Sequence, residues 1–333
     1  MTTPLDDPVE RRLVPSDPLE VHGMKAGVSD HDHGAFRAAA WVAPVDMADS
    51  SLVVVTRDDV VTVRTPWPEM VHDLTYRSVT TPAGDPLDLR LDLLVPRGDG
   101  PFPLVVFVPG GGFVMSPKSA ALLRRTSIAE RGVVVASIEY RTLRTGIYRD
   151  AVDDLAAAVA FLRHHADEFR IDAGRVALWG ESAGGYLAAM GVTTGAVTGV
   201  RCVVDVFGLT DLSQVAMDFD AVEQARHHAP DITEAQFVFG RHSGMTIDDD
   251  PDEVQRANPV RHVSGGEPPF LLFHGELDGL VSPGQSQLLH RALLEHGVDS
   301  TRVIVAAAGH YGLEWSSATV LDRIATFLEQ HLA

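Results

Sequence analysis

Val176-Ala-Leu-Trp-Gly-Glu-Ser182-Ala-Gly-Gly185 joins an apolar run to a helix-forming run through a serine flanked by glycines. Val176–Trp179 reads as a buried strand and Ala183–Thr193 as a helix. A serine with Gly180 two residues before it and Gly184 two after fits a sharp, strained elbow between the two. The glycines are needed because a side chain there would collide with neighbouring backbone. The elbow lifts the Ser182 hydroxyl clear of the sheet and sets it at a helix N-terminus. Backbone N–H groups and the helix dipole favour a developing oxyanion there. The alternative, a glycine-rich turn without chemistry, does not account for the strand-to-helix context.

The pattern on either side extends this unit. Leu74–Val79 and Leu87–Val95 read as strands. In the second, Leu87, Leu89, Leu91 and Leu93 alternate with Asp88, Arg90 and Asp92, as an antiparallel pair at a sheet edge requires. Leu104–Val108 is a solid apolar strand. Val133–Ile138 (strand), Asp150–His165 (helix), Val200–Phe207 (strand), Phe270–Phe273 (strand), Pro283–His296 (helix), Thr301–Val305 (strand) and Ala318–Leu332 (helix) follow. Ser282 is the expected N-cap and Pro283 the first residue of its helix. The alternation predicts an α/β fold with a mostly parallel, doubly wound sheet. It breaks between about 212 and 262, where acids cluster at Asp248–Asp250 and His227 adjoins His228. An insertion at the carboxyl ends of strands sits over the ligand crevice, so this segment is a candidate lid. Residues 1–68 are proline-rich and only sparsely apolar. They read as an N-terminal extension packing on the core, with a hairpin at Asp58–Asp59, and residues 69–333 as the catalytic domain. Asp30-His31-Asp32-His33 lacks the framing of a metal site.

A hydroxyl needs a base. Downstream, Phe270-Leu-Leu-Phe-His-Gly-Glu-Leu-Asp278 leaves a strand and enters a turn, where the Asp278 carboxylate can reach an imidazole. Glu276 is the rival acid, closer to the strand, and His274 supports the turn. After the strand ending at Val305, Gly309-His310-Tyr311-Gly312 places a histidine in a loop. The order Ser182, Asp278, His310 suits general base catalysis by His310, with Asp278 fixing its tautomer. Pro109-Gly110-Gly111-Gly112-Phe113 follows the strand Leu104–Val108. Three glycines let backbone N–H groups approach a ligand, so Gly111 and Gly112, joined by Ala183, form the expected oxyanion hole. A phosphate loop is the alternative, but no lysine and hydroxyl stand where one requires them. Phe113, Glu181 and Tyr311 flank these groups and are expected to line the substrate pocket. Glu139 and Arg141 are expected to make structural hydrogen bonds below the site.

These motifs resemble α/β-hydrolase-fold carboxylesterases of the hormone-sensitive-lipase and bacterial esterase (feruloyl-esterase-like) type. The resemblance covers about residues 70–333. It rests on Gly110–Phe113, Glu139-Tyr140-Arg141, the helix opening at Asp150–Asp154, Gly180–Gly185, His274–Asp278 and Gly309-His310. It implies a serine, aspartate and histidine triad with a glycine-loop oxyanion hole, and it leaves a homodimer open. The sequence departs from the family pattern at Pro109, where a histidine usually precedes the glycines. Proline removes a side-chain donor and stiffens φ.

Composition narrows the partners. Lys plus Arg is 27 and Asp plus Glu is 46, for a formal charge of −19. That excess argues against nucleic acid and against anionic membrane surfaces. No run approaches the ~20 apolar residues of a bilayer span, and Met1–Glu20 lacks the apolar core of a secretory signal. The expectation is a cytoplasmic protein. The one cysteine, Cys202, reads as a small core residue and implies no disulfide framework. No metal or organic cofactor is implied. The expected substrate is a small-molecule carboxylic ester, cleaved through an acyl-enzyme. The same triad also serves lactone hydrolysis, acyl transfer, peptide cleavage or elimination, and a scaffold of this kind can act as a non-catalytic small-molecule receptor.

Overall fold

The computed structural model describes residues 45–56, 59, 61 and 67–333. Asp30–His33 lies outside the described residues, as do Asp58 and most of 60–66. The described strands are β1 (Ser50–Val53), β2 (Glu69–Thr80), β3 (Pro86–Val95), β4 (Phe102–Val108), β5 (Val134–Ile138), β6 (Ile171–Glu181), β7 (Val200–Val206), β8 (Phe270–Gly275) and β9 (Ser300–Val305). They form one sheet in the order β1-β9-β8-β7-β6-β4-β5-β3-β2. Strand β3 pairs antiparallel with both β2 and β5, and every other pairing is parallel. The alternating Leu87–Val95 segment is the antiparallel strand expected of it.

The two-residue period of a strand accounts for two apolar layers. In β4, Leu104, Val106 and Val108 enter one core while Val105 and Phe107 enter the other. In β6, Val176 and Leu178 divide in the same way from Ala177 and Trp179. The first core is covered by α2 (Tyr148–His164), α3 (Ala183–Thr193) and α7 (Pro283–Glu295). The second is covered by α1 (Leu122–Ala129) and α8 (Ala318–Leu332). Cys202 is fully buried in the second core. Ser282 caps α7 by accepting the Gly284 N–H at 3.0 Å.

Between β7 and β8 lie two 3₁₀ turns and three short helices, α4 (Ala221–Arg226), α5 (Thr233–Phe239) and α6 (Pro251–Arg256). Leu212, Val215, Phe237, Val238 and Val254 join this insertion to the first core. Its roots are tied by buried polar groups. Gln285 Oε1 accepts the N–H groups of Thr210 (2.7 Å) and Asp211 (2.8 Å), and Asn258 donates to Asp211 Oδ1 at 2.8 Å. No described helix is long and apolar enough to cross a membrane.

Two features differ from the sequence expectations. Helix α1 is invisible to periodicity because its buried positions include Arg125, Thr126 and Ser127, while Leu122 and Leu123 are exposed. Its N-cap Ala121 also has φ +54° and no side-chain cap. At the amino end, Ser50–Val53 adds a strand in parallel to β9 that the sequence reading does not place, while the hairpin expected at Asp58–Asp59 falls on Asp58, outside the described residues. Arg302 of β9, 1% exposed, holds this segment through the Asp46 carbonyl (2.7 Å) and Ser50 Oγ (2.7 Å). Its other donors go to Ser286 Oγ (2.9 Å), the Pro283 carbonyl (2.9 Å) and Gln287.

Arg302→Ala leaves these acceptors buried and unpaired. It should lower stability by about 3 kcal/mol, seen as a lower urea midpoint at unchanged slope. Asp205, paired in register with Gly180, is buried with one oxygen on the Gly208 N–H at 2.9 Å and the other without a partner among the described residues. Burial pushes its carboxyl up to about 7, against the opposing Gly208 hydrogen bond. The unfolded chain ionises near 3.8. The stability this group contributes is therefore fully present below that value and lost as pH rises through about 7. In thermal melts, Asp205→Asn should gain on the unsubstituted protein as the pH is raised across that window, and a constant difference would contradict the assignment.

Candidate active site

The elbow forms as the glycine spacing requires. Ser182 follows β6 with φ +55° and ψ −122°, a disfavoured conformation for a residue with a side chain. A Cβ on Gly180 would lie 2.1 Å from the Gly184 carbonyl oxygen, and one on Gly184 would lie 1.9 Å from that of Val108. The Ser182 N–H donates to the Val206 carbonyl at 2.9 Å. Ala183 opens α3, so its N–H has no acceptor within the helix.

Ser182 Oγ is 2.9 Å from His310 Nε2, and His310 Nδ1 is 2.7 Å from Asp278 Oδ2. The other carboxylate oxygen, Oδ1, accepts the N–H groups of Leu280 (2.9 Å) and Val281 (3.0 Å). Burial pushes the Asp278 carboxyl up. The electrostatic attraction of the His310 ring and hydrogen bonds from His274 and His310 outweigh it and hold the group well below the usual carboxylate range. An ionised carboxylate only accepts, so His310 Nδ1 carries the proton and Nε2 faces the serine hydroxyl as an acceptor. His274 Nε2 donates to the Val281 carbonyl at 3.0 Å and lies 3.4 Å from Asp278 Oδ2. Glu276 faces elsewhere, its Oε2 accepting the Ala307 N–H at 2.8 Å.

The acid turn and the histidine loop are knit together. Leu277 N–H donates to the Ala308 carbonyl (2.8 Å) and Glu276 N–H to that of Val305 (3.0 Å). The His310 ring rests on Phe207 with centroids 4.4 Å apart, and Trp315 meets Phe207 edge-on at 4.8 Å. Trp315 Nε1 donates to the Gly309 carbonyl at 3.1 Å. Phe207 and Trp315 escape sequence reading, because each looks like an ordinary core aromatic at the end of an element.

The glycine loop lies against the serine: a Cβ on Gly110 would be 3.1 Å from Ser182 Cβ. Among the described residues, the N–H groups of Gly111 and Gly112 meet no protein acceptor. The residues expected to line the pocket are placed differently from one another. Phe113 is 1% exposed, stacked on Phe237 at 4.4 Å and edge-on to Tyr186 at 5.3 Å. Its side chain backs the loop instead of facing an opening. Glu181 is buried in a two-point ion pair with Arg124, Nε to Oε1 at 2.9 Å and Nη2 to Oε2 at 2.6 Å. Tyr311 is exposed and edge-on to His310 at 5.0 Å.

Arg141 donates to Asp154 through its backbone N–H, Nε and Nη2, each at 2.9 Å, and Glu139 accepts the Arg90 N–H, as structural partners should. His228 pairs with Asp248 on the insertion surface at 2.6 Å. Among the described residues no group of three His, Cys, Asp or Glu side chains could hold a metal ion.

Known proteins share this framework. A truncated carbohydrate esterase from gut microbiota superposes with a TM-score of 0.68 at 19% identity, over 83% of this chain and 98% of that one. A thermophilic esterase of Thermogutta terrifontis gives 0.60 at 22%, over 80% of this chain and 92% of that one. At these identities the likeness is one of α/β-hydrolase fold. In sequence, a probable isoprenylcysteine alpha-carbonyl methylesterase of Arabidopsis thaliana is 28% identical over 69% of this chain and 50% of its own length. The esterase LipC of Mycobacterium tuberculosis is 32% identical over 56% of this chain and 47% of its own. The chain thus spans about half the length of the curated relatives it matches. The BD-FAE family model matches residues 91–293, a range that holds Ser182 and Asp278, and on that match over more than half its length the chain belongs to the BD-FAE family.

Proposed function

We propose that this protein is a serine hydrolase that cleaves carboxylic esters through an acyl-enzyme. The hydrogen-bond chain Ser182–His310–Asp278, at 2.9 and 2.7 Å, carries the reading. The family and the relatives named esterases support it. His310 Nε2 takes the Ser182 proton as Oγ adds to the ester carbonyl, and the carbonyl oxygen becomes an oxyanion. The N–H groups of Gly111, Gly112 and Ala183 stabilise that charge. His310 then returns the proton to the departing alkoxide, leaving Ser182 acylated. Water, deprotonated by His310, attacks the acyl carbon; the adduct expels Ser182 Oγ, which takes the proton back from His310, and the acid is released. Asp278 stays ionised throughout and stabilises the imidazolium form of His310.

The substrate in this reading is a small acyl or aryl ester. The helical insertion acts as the lid over this site, its Phe237 resting on Phe113 behind the oxyanion loop.

Ser182→Ala should cut turnover of a p-nitrophenyl ester by roughly 10⁴-fold or more while leaving the melting temperature intact. A fluorophosphonate probe should label the unsubstituted protein at Ser182 alone. Undiminished turnover by the alanine variant would sink the mechanism.

A further inference from the structure

The glycine loop holds a backbone that it cannot hold alone. φ is +153° at Gly111, +57° at Gly112 and +61° at Phe113. A phenylalanine in the left-handed region persists only where the surroundings over-determine it. Those surroundings come largely from one segment, the five residues after β5, Glu139–Leu143. The Tyr140 hydroxyl donates to the Pro109 carbonyl at 2.8 Å, at the start of the loop. Leu143 N–H donates to the Phe113 carbonyl at 2.9 Å, in its middle. At its end, Ser116 exchanges two hydrogen bonds with the Tyr140 backbone: Tyr140 N–H to Ser116 Oγ (3.1 Å) and Ser116 Oγ to the Tyr140 carbonyl (2.8 Å). The segment is itself immobilised, because Arg141 is bound at three points to the fully buried Asp154.

We infer that Tyr140 is a positioning residue for the oxyanion hole, its hydroxyl holding the Pro109 carbonyl so that Gly111 and Gly112 keep their N–H groups beside Ser182. This rests on the serine-esterase reading. Pro109 has no N–H and no polar side chain, so its carbonyl is the one polar handle at that end of the loop. Tyr140 is 2% exposed, leaving no solvent to replace the hydroxyl. Burial pushes that hydroxyl further up from its ordinary range, so it remains a donor. The chain braces this point from the segment that follows β5.

Tyr140→Phe removes one oxygen and keeps the ring. The full-length variant should show kcat for p-nitrophenyl acetate down about tenfold, with KM within about twofold. The affinity for a trifluoromethyl ketone analogue of the tetrahedral intermediate should fall by the same factor as kcat/KM. Amide hydrogen exchange should quicken within residues 110–116 and nowhere else. Unchanged kcat, analogue affinity and exchange would overturn the inference. If the unsubstituted protein turns over no ester and takes no fluorophosphonate, the esterase reading fails, and the exchange measurement still decides whether Tyr140 holds the loop. Ser116→Ala, which frees the other end of the loop from the same residue, should give the same pattern and serves if Tyr140→Phe does not fold.

Discussion

The contact between the Gly184 backbone and the Val108 carbonyl oxygen is the constraint around which the site is assembled. With only a hydrogen on Gly184, the first turn of α3 presses against the last residue of β4. Val108 leads directly into the glycine loop and Gly184 stands two residues after Ser182. One close approach therefore sets the glycine loop beside the serine. A methyl group there would be 1.9 Å from the oxygen and would drive the two apart. Ser182 at φ +55° is the other half of the same arrangement, since the chain must reverse within a residue to bring α3 so near. Strain is thus placed at the point where the hydroxyl must project.

The charge-bearing parts are built on the opposite principle. Asp278 is wholly buried, yet four donors surround it: two backbone N–H groups, His310, and His274 at longer range. A carboxylate so supplied remains ionised without solvent. Asp205, on the neighbouring β7, has one donor and no charged partner, and its carboxyl shifts the other way. Two aspartates of equal burial thus differ by what faces them, and only the first is suited to hold an imidazole.

Much of this was legible from residues alone. The strand period, the glycine spacing about Ser182 and the strand-end positions of Asp278 and His310 are local signals. Helix α3 and helix α8 fall at the expected residues. What escaped was set by contacts between distant segments. Helix α1 buries Arg125 under Phe107, where the guanidinium lies 5.7 Å from the ring centre, so its inward face does not look apolar. Phe113 stands beside the glycines in sequence, but Phe237 and Tyr186 enclose its ring and remove it from the opening. Glu181 adjoins the serine, but Arg124 claims both its oxygens. A one-dimensional neighbourhood identifies the backbone of a site better than the direction of its side chains.

Strand β1 carries a consequence for solubility. Without residues 50–53, β9 would be the sheet's last strand, presenting unpaired amides and carbonyls beside the loop that bears His310. Exposed strand edges of this kind template pairing with other chains. The short parallel strand, only four residues long, caps that edge, and the Ala306 N–H bonded to the Val53 carbonyl at 2.7 Å extends the cover past the end of β9. The amino-terminal segment is in this respect a guard against self-association as well as a part of the fold.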